Sequence, residues 1–149
     1  MTITVPRIQM TVYGTPAPMG SKRAFVRGGR AILTDDNSEK RRNWANAVSA
    51  RAAEVMDGLP VITRPVALRI KFYFQRPKSH FGTGKNAEII KTSAPTKHFQ
   101  SPDLDKLVRC VGDALTGIVY RDDALIHTVW ASRFWTTEQE RAEMEIQID

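Results

Sequence analysis

The stretch Ser101-Pro102-Asp103-Leu104-Asp105-Lys106-Leu107-Val108-Arg109, followed one helix's length later by Tyr120-Arg121-Asp122-Asp123, constrains the fold more than any other part of the chain. Stepped at 100° per residue, Leu104, Leu107, Val108, Val111, Leu115 and Ile118 gather into an arc of about 100°, the stripe of a helix that lies on a core. Asp105, Lys106, Arg109 and Asp113 fall on the opposite side. Asp103 follows Pro102 at the helix entrance, where a side-chain oxygen can cap free N–H groups. Gly117 suits the left-handed residue that ends a helix, so the chain is expected to reverse there and Asp122-Asp123 to open a strand, with only one of the two facing any given site. A strand leaving the end of a helix can run back alongside it, which would make the two acidic pairs neighbours in space. Hard oxygen ligands clustered in this way suit Mg²⁺ or Mn²⁺, which take one or two carboxylates and keep several waters.

The ordered set Pro102-Asp103-x-Asp105-x-Leu107-x-Arg109, then Asp113-Ala114-Leu115-Thr116, then Asp122-Asp123-Ala124, resembles the core signature of the RusA family of Holliday-junction resolvases, often encoded by phages and prophages. The match is close over residues 102–126 and extends elsewhere only to size and order of elements. By this resemblance Asp103, Asp105 and Asp123 stand where the family has its catalytic, metal-binding carboxylates. Arg109 stands where it has an essential lysine, and Lys106 where it often has Asn. The resemblance further implies a homodimer that resolves four-way DNA junctions by paired symmetric nicks in recombination and repair, with Mg²⁺ as cofactor and Mn²⁺ as a substitute.

A chain of 149 residues is long enough for one core and too short for two, so residues 1–149 are expected to form a single domain. No apolar run approaches the ~20 residues that span a bilayer, and the start Met1-Thr2-Ile3-Thr4 has no secretory pattern, so no membrane partner and a cytoplasmic location in a bacterial host are expected. The single Cys110 rules out an internal disulfide framework and a Cys-rich zinc site, and reads as a small semi-buried filler. Charge is split along the chain. Up to residue 100 there are seventeen basic against six acidic residues, a net of +11; from residue 101 on there are five against ten, a net of −5. Basic segments give sequence-independent affinity for phosphates, whereas an acidic cluster repels phosphates unless a divalent cation lies between. A nuclease needs both.

Residues 7–13 alternate as a half-buried strand, with Ile8, Met10 and Val12 on one face. Residues 14–35 form a basic arm: a Gly/Pro-rich loop, then a short hairpin about Gly28-Gly29 carrying Phe25, Lys22, Arg23, Arg27 and Arg30. This arm fits a phosphate backbone, and as a plain structural feature it would be a solvated flap. The Asp36-x-x-Glu39 spacing of a capping box starts a helix that should run to Asp57 and stop at Gly58, with Trp44, Val48, Ala52 and Val55 as its inner stripe. Val66, Leu68, Ile70, Phe72 and Phe74 mark the clearest strand, its outward row basic at Arg69 and Lys71.

Residues 77–100 have no sustained period and form a second basic segment that leads directly to Asp103. His80 and His98 within it read as solvated loop histidines. Residues 124–135 and 142–148 read as two strands joined in a hairpin. The order β-(hairpin)-α-β-α-β-β indicates an α/β (α+β) fold, a small mixed sheet with two main helices, RusA-like, whose strand order the pattern leaves open.

The functional reading is a Mg²⁺-dependent structure-selective endonuclease. Asp103, Asp105 and Asp123 would hold metal, Arg109 would face the scissile phosphate or brace Asp105, and Asp113 would be its structural partner four residues on. Lys22, Arg23, Arg27, Arg30, Lys97 and Lys106 are the candidate DNA contacts. Two alternatives stay open at this point: a Mg²⁺ nuclease with another DNA substrate, and a non-catalytic basic DNA-binding protein whose acidic cluster is a helix-end charge network.

Overall fold

The computed structural model describes residues 6–20, 22–35 and 38–149, with backbone only over 22–27 and 31–35. Eight main elements follow in the expected order: β1 (Arg7–Tyr13), β2 (Lys22–Arg27), β3 (Arg30–Asp35), α1 (Ser38–Val55), β4 (Val66–Gln75), α2 (Leu104–Leu115), β5 (Ile126–Thr136) and β6 (Arg141–Ile148). β2 and β3 pair as a separate two-stranded hairpin. Its turn, Gly28-Gly29, holds φ values of +59° and +76°, a left-handed pair that residues with a Cβ rarely adopt.

The remaining strands form one mixed sheet in the order β1-β6-β4-β5. Its buried face is laid down by strict alternation. Ile8 of β1 lies across from Ile146 of β6 and so from Leu68 of β4, and Met10, Met144 and Ile70 form the next row. All six are buried, and they share one core with Trp44, Val48 and Ala52 of α1 and Leu107, Val111 and Leu115 of α2. Both helices therefore cover the same face of the sheet, as the mixed α+β reading requires. The inner stripe of α1 is as expected, although the helix ends at Val55 and Gly58 turns the chain with φ +77°. Asp36 and Asn37, the front of the expected capping box, lie outside the described residues, as do the side chains of Lys22, Arg23, Phe25 and Arg27.

The expected hairpin of the last two strands is not formed. β4 lies between them, parallel to β5 and antiparallel to β6. The reason is burial: Val66, Leu68, Ile70 and Phe72 are at most 1% exposed, so β4 takes the centre of the sheet, where both its edges are also paired. The connection from β5 to β6 passes over the end of β4, where the Arg76 N–H donates to the Thr136 carbonyl at 2.9 Å and the Gln75 N–H to Glu140 Oε2 at 3.0 Å. A parallel pair such as β4–β5 needs a long crossover, and the segment containing α2 supplies it. Among the described residues no helix is long and apolar enough to cross a membrane.

Candidate active site

α2 displays the acidic motif because its two sides differ so sharply. Leu107, Cys110, Val111 and Leu115 are buried, while Asp103, Asp105, Arg109 and Asp113 are exposed. Cys110 packs fully inside, 2% exposed, and burial pushes its thiol up to about 11, which suits a filler and not a nucleophile. Asp103 occupies the N-cap position in extended conformation, but its side chain makes no capping bond. Its Oδ2 instead faces Lys106 Nζ at 3.9 Å, and 69% of the side chain stays exposed. The first turn of α2 therefore presents two carboxylates, Asp103 and Asp105, at the positive end of the helix dipole.

Beyond Leu115 a compact turn redirects the chain. The buried Tyr120 hydroxyl donates to the Gly112 carbonyl at 2.8 Å, and Thr116 Oγ1 donates to the same oxygen at 2.9 Å. Burial pushes the Tyr120 phenol upward, so it stays a donor at working pH. Asp122 and Asp123 do not open a strand, as the spacing suggested. They lead a 3-10 turn, Asp123–Leu125, in which Asp122 Oδ1 accepts from the Ala124 N–H at 2.9 Å. A turn bends the chain back on itself, and so the two carboxylates meet instead of pointing to opposite faces. The hydrogen bond to Asp122 raises the carboxyl of the exposed Asp123 above the usual carboxylate range, helped by slight desolvation and by the charges of Asp122 and Asp113. The Ala124 N–H and the bond from Asp123 hold Asp122 low.

Asp113 thus stands close enough to act on Asp123, a proximity the spacing did not suggest. The two acidic groups flank α2 along its length: Asp105 and Asp113 are separated by about 12 Å of helix axis at 1.5 Å per residue. Among the described residues, neither Asp105 nor Asp113 comes within ion-pair distance of Arg109, and no three His, Cys, Asp or Glu side chains converge as a metal-binding group. The donor chemistry still fits Mg²⁺. Each cluster offers one or two hard carboxylate oxygens, the number this ion takes from a protein when waters and phosphate oxygens complete its shell. Asp122 and Asp123, two acids sharing one hydrogen bond, have the like-charge proximity that a divalent cation relieves.

The approach to α2 is built by contacts that no sequence pattern records. His98 is 5% exposed, stacked at 4.2 Å on Phe74 and 4.4 Å from Trp135. It is no solvated loop histidine, because its flanks pair with β5: Trp135 N–H donates to the Thr96 carbonyl at 3.0 Å, and His98 N–H to the Arg133 carbonyl at 3.1 Å. His80 sits at the rim of the same cluster, edge-on to Trp135 at 4.9 Å. Arg133 reaches across from β5, and its Nη1 donates to the carbonyls of Gln100, at 2.7 Å, and Pro102. No local pattern marks these contacts, since each joins residues more than twenty positions apart.

Of the candidate DNA contacts, Lys97 and Lys106 lie at this end of the molecule. Lys97 places its ammonium 4.2 Å above the Phe134 ring, and Lys106 shields Asp103. Arg30 is exposed at the tip of the arm. The arm is rooted beside α2, where the Met19 N–H donates to the Lys106 carbonyl at 3.0 Å, three residues before β2 begins.

Comparison with known proteins agrees with this arrangement. The family profile described as Endodeoxyribonuclease RusA matches residues 14–148. The chain is also 31% identical over 141 residues to "Uncharacterized protein YqaN" of Bacillus subtilis (strain 168), an alignment covering 93% of this chain and 94% of that one. With nearly its whole length matched, from the start of the arm to the last strand, the chain belongs to the RusA endodeoxyribonuclease family.

Proposed function

We propose that this protein is a Mg²⁺-dependent endonuclease that resolves four-way DNA junctions by paired hydrolysis of two phosphodiester bonds. Family membership carries the nuclease assignment, and the exposed carboxylates flanking α2 carry the metal dependence. Asp103 with Asp105 at one end of α2, and Asp123 near the other, are the residues that would hold Mg²⁺ ions, with Mn²⁺ as a substitute. Bound there, the ion would neutralise phosphoryl charge and activate water. The chain's own side chains supply the rest. Arg109, exposed on the same face as Asp105 and within ion-pair distance of neither Asp105 nor Asp113, is available to a scissile phosphate. Asp122 orients Asp123 through their shared hydrogen bond. The arm, Lys97 and Lys106 provide positive charge toward the backbone of the DNA. Two opposed strands need two sites, and a small domain offers one, so the active form is a homodimer. Work in recombination and repair follows from that substrate.

The test is a labelled four-way junction incubated with the purified protein in Mg²⁺ and in EDTA. Cutting confined to Mg²⁺ supports the reading. Cutting that persists in EDTA removes the metal, and junction binding with no cutting under either condition leaves a DNA-binding protein.

A further inference from the structure

Residues 96–102 run along β5 before entering α2, and backbone pairing holds only the first part of this run. It ends at His98, whose N–H donates to the Arg133 carbonyl. Asp103 is still five residues away. From there one side chain takes over: Arg133 Nη1 donates to the Gln100 carbonyl at 2.7 Å and to the carbonyl of Pro102, the residue directly before Asp103. Hydrogen bonds from a guanidinium are of the strong, charge-assisted class, and two from one nitrogen fix direction as well as distance. The Asp103 side chain makes no capping bond; α2 holds it from one side, through Lys106 at 3.9 Å and the Leu107 N–H on its carbonyl at 3.1 Å, and the grip on Pro102 fixes how the chain enters from the other.

We propose that Arg133 is a positioning residue for the Asp103 carboxylate, gripping the backbone immediately upstream so that Asp103 and Asp105 meet the metal in fixed geometry. The proposal rests on the nuclease reading of Asp103. It predicts that Arg133 acts on metal affinity and on local order without touching DNA. Groups that orient a metal's ligands are worth about 10- to 100-fold in affinity or activity.

The experiment titrates Mn²⁺ into wild type, Arg133→Gln and Arg133→Lys by calorimetry, and follows amide exchange in the metal-free proteins. In Arg133→Gln, Mn²⁺ affinity should fall about 10-fold, and exchange should rise over residues 99–107 while β4 stays protected. Junction binding in EDTA should be unchanged. Arg133→Lys keeps the charge on a stem with shorter reach and should restore part of the affinity. If Arg133→Gln does not fold, Arg133→Lys decides alone: weaker Mn²⁺ binding at an unchanged melting temperature supports the role, and equal binding overturns it. Unaltered Mn²⁺ affinity beside weakened junction binding would make Arg133 a DNA contact and overturn it too. A wild type that neither binds Mn²⁺ nor cuts removes the nuclease reading itself, whereas a wild type that cuts beside an Arg133→Gln with normal Mn²⁺ affinity overturns the positioning role alone.

Discussion

Carboxylates that work beside phosphates must be exposed, charged and masked by cations, and Asp103 with Asp105 meets the first condition while Lys106 begins the third. Asn in place of Asp103, Asp105 or Asp123 removes one negative charge at constant size. Each change should abolish cutting and leave junction binding intact or tighter; cleavage at the wild-type rate in Mg²⁺ would contradict the metal-site assignment. Asp122→Asn has its own signature, because Asp122 is what raises the Asp123 carboxyl. An Asn side chain can donate to Asp123 where Asp122 could only accept, so the acid limb of Mn²⁺ binding should move to lower pH in that variant. An unmoved limb would mean that the pair does not share its proton in solution. By the motif's resemblance, Arg109 would stand where the family has a lysine. If charge is the whole requirement, Arg109→Lys keeps most activity and Arg109→Ala loses about 10²–10³-fold in turnover, as removal of one preorganised donor does. A new basic-limb pKa confined to the Lys variant would instead show that relatives use proton donation, which arginine, charged at all working pH, does not provide.

At the scale of elements, the sheet and helices hold the carboxylates, and the segment before α2 holds the helix. His98 is its buried anchor. Burial, then the Arg133 charge, lowers its pKa against a weaker opposing pull from Glu140. The unfolded chain therefore binds a proton that the folded one resists. Stability from this site is full above the unfolded value of about 6.5 and is lost as pH falls through it. Thermal midpoints of the wild type between pH 7 and 5 should drop more than those of His98→Phe; parallel curves would contradict a neutral buried ring. Which of these features the sequence reveals follows from the range of each interaction. The stripe of α2, the alternation of β4 and β6 and the Gly28-Gly29 turn are local, and periodicity reads them. The placement of β4 between β5 and β6 is not, since pairing depends on which strand buries most. The burial of His98, the reach of Arg133 and the meeting of Asp122 with Asp123 in a turn depend on partners or backbone geometry that no single residue pattern records. The acidic motif itself is readable as chemistry, because the order of its carboxylates around one helix is set by spacing alone.

For the whole molecule, the separation of charge along the chain becomes a separation in space only in part: the arm is rooted on α2 at Lys106, next to the carboxylates it would help bring to DNA. Replacing Lys22, Arg23 and Arg27 together with alanine should weaken binding to every DNA form and lower the salt slope by about 0.9 for each phosphate that is no longer neutralised, with cutting at saturation preserved. An unchanged slope would make the arm a solvated flap. Junction resolution itself is read by mapping cut positions on a four-way junction labelled in turn on each strand, beside a linear duplex of the same sequence, in Mg²⁺. Nicks are expected at symmetric positions on two opposed strands of the junction, absent with Asp123→Asn, with little cutting of the duplex. Equal cutting of duplex and junction, or nicks on one strand alone, would contradict junction resolution.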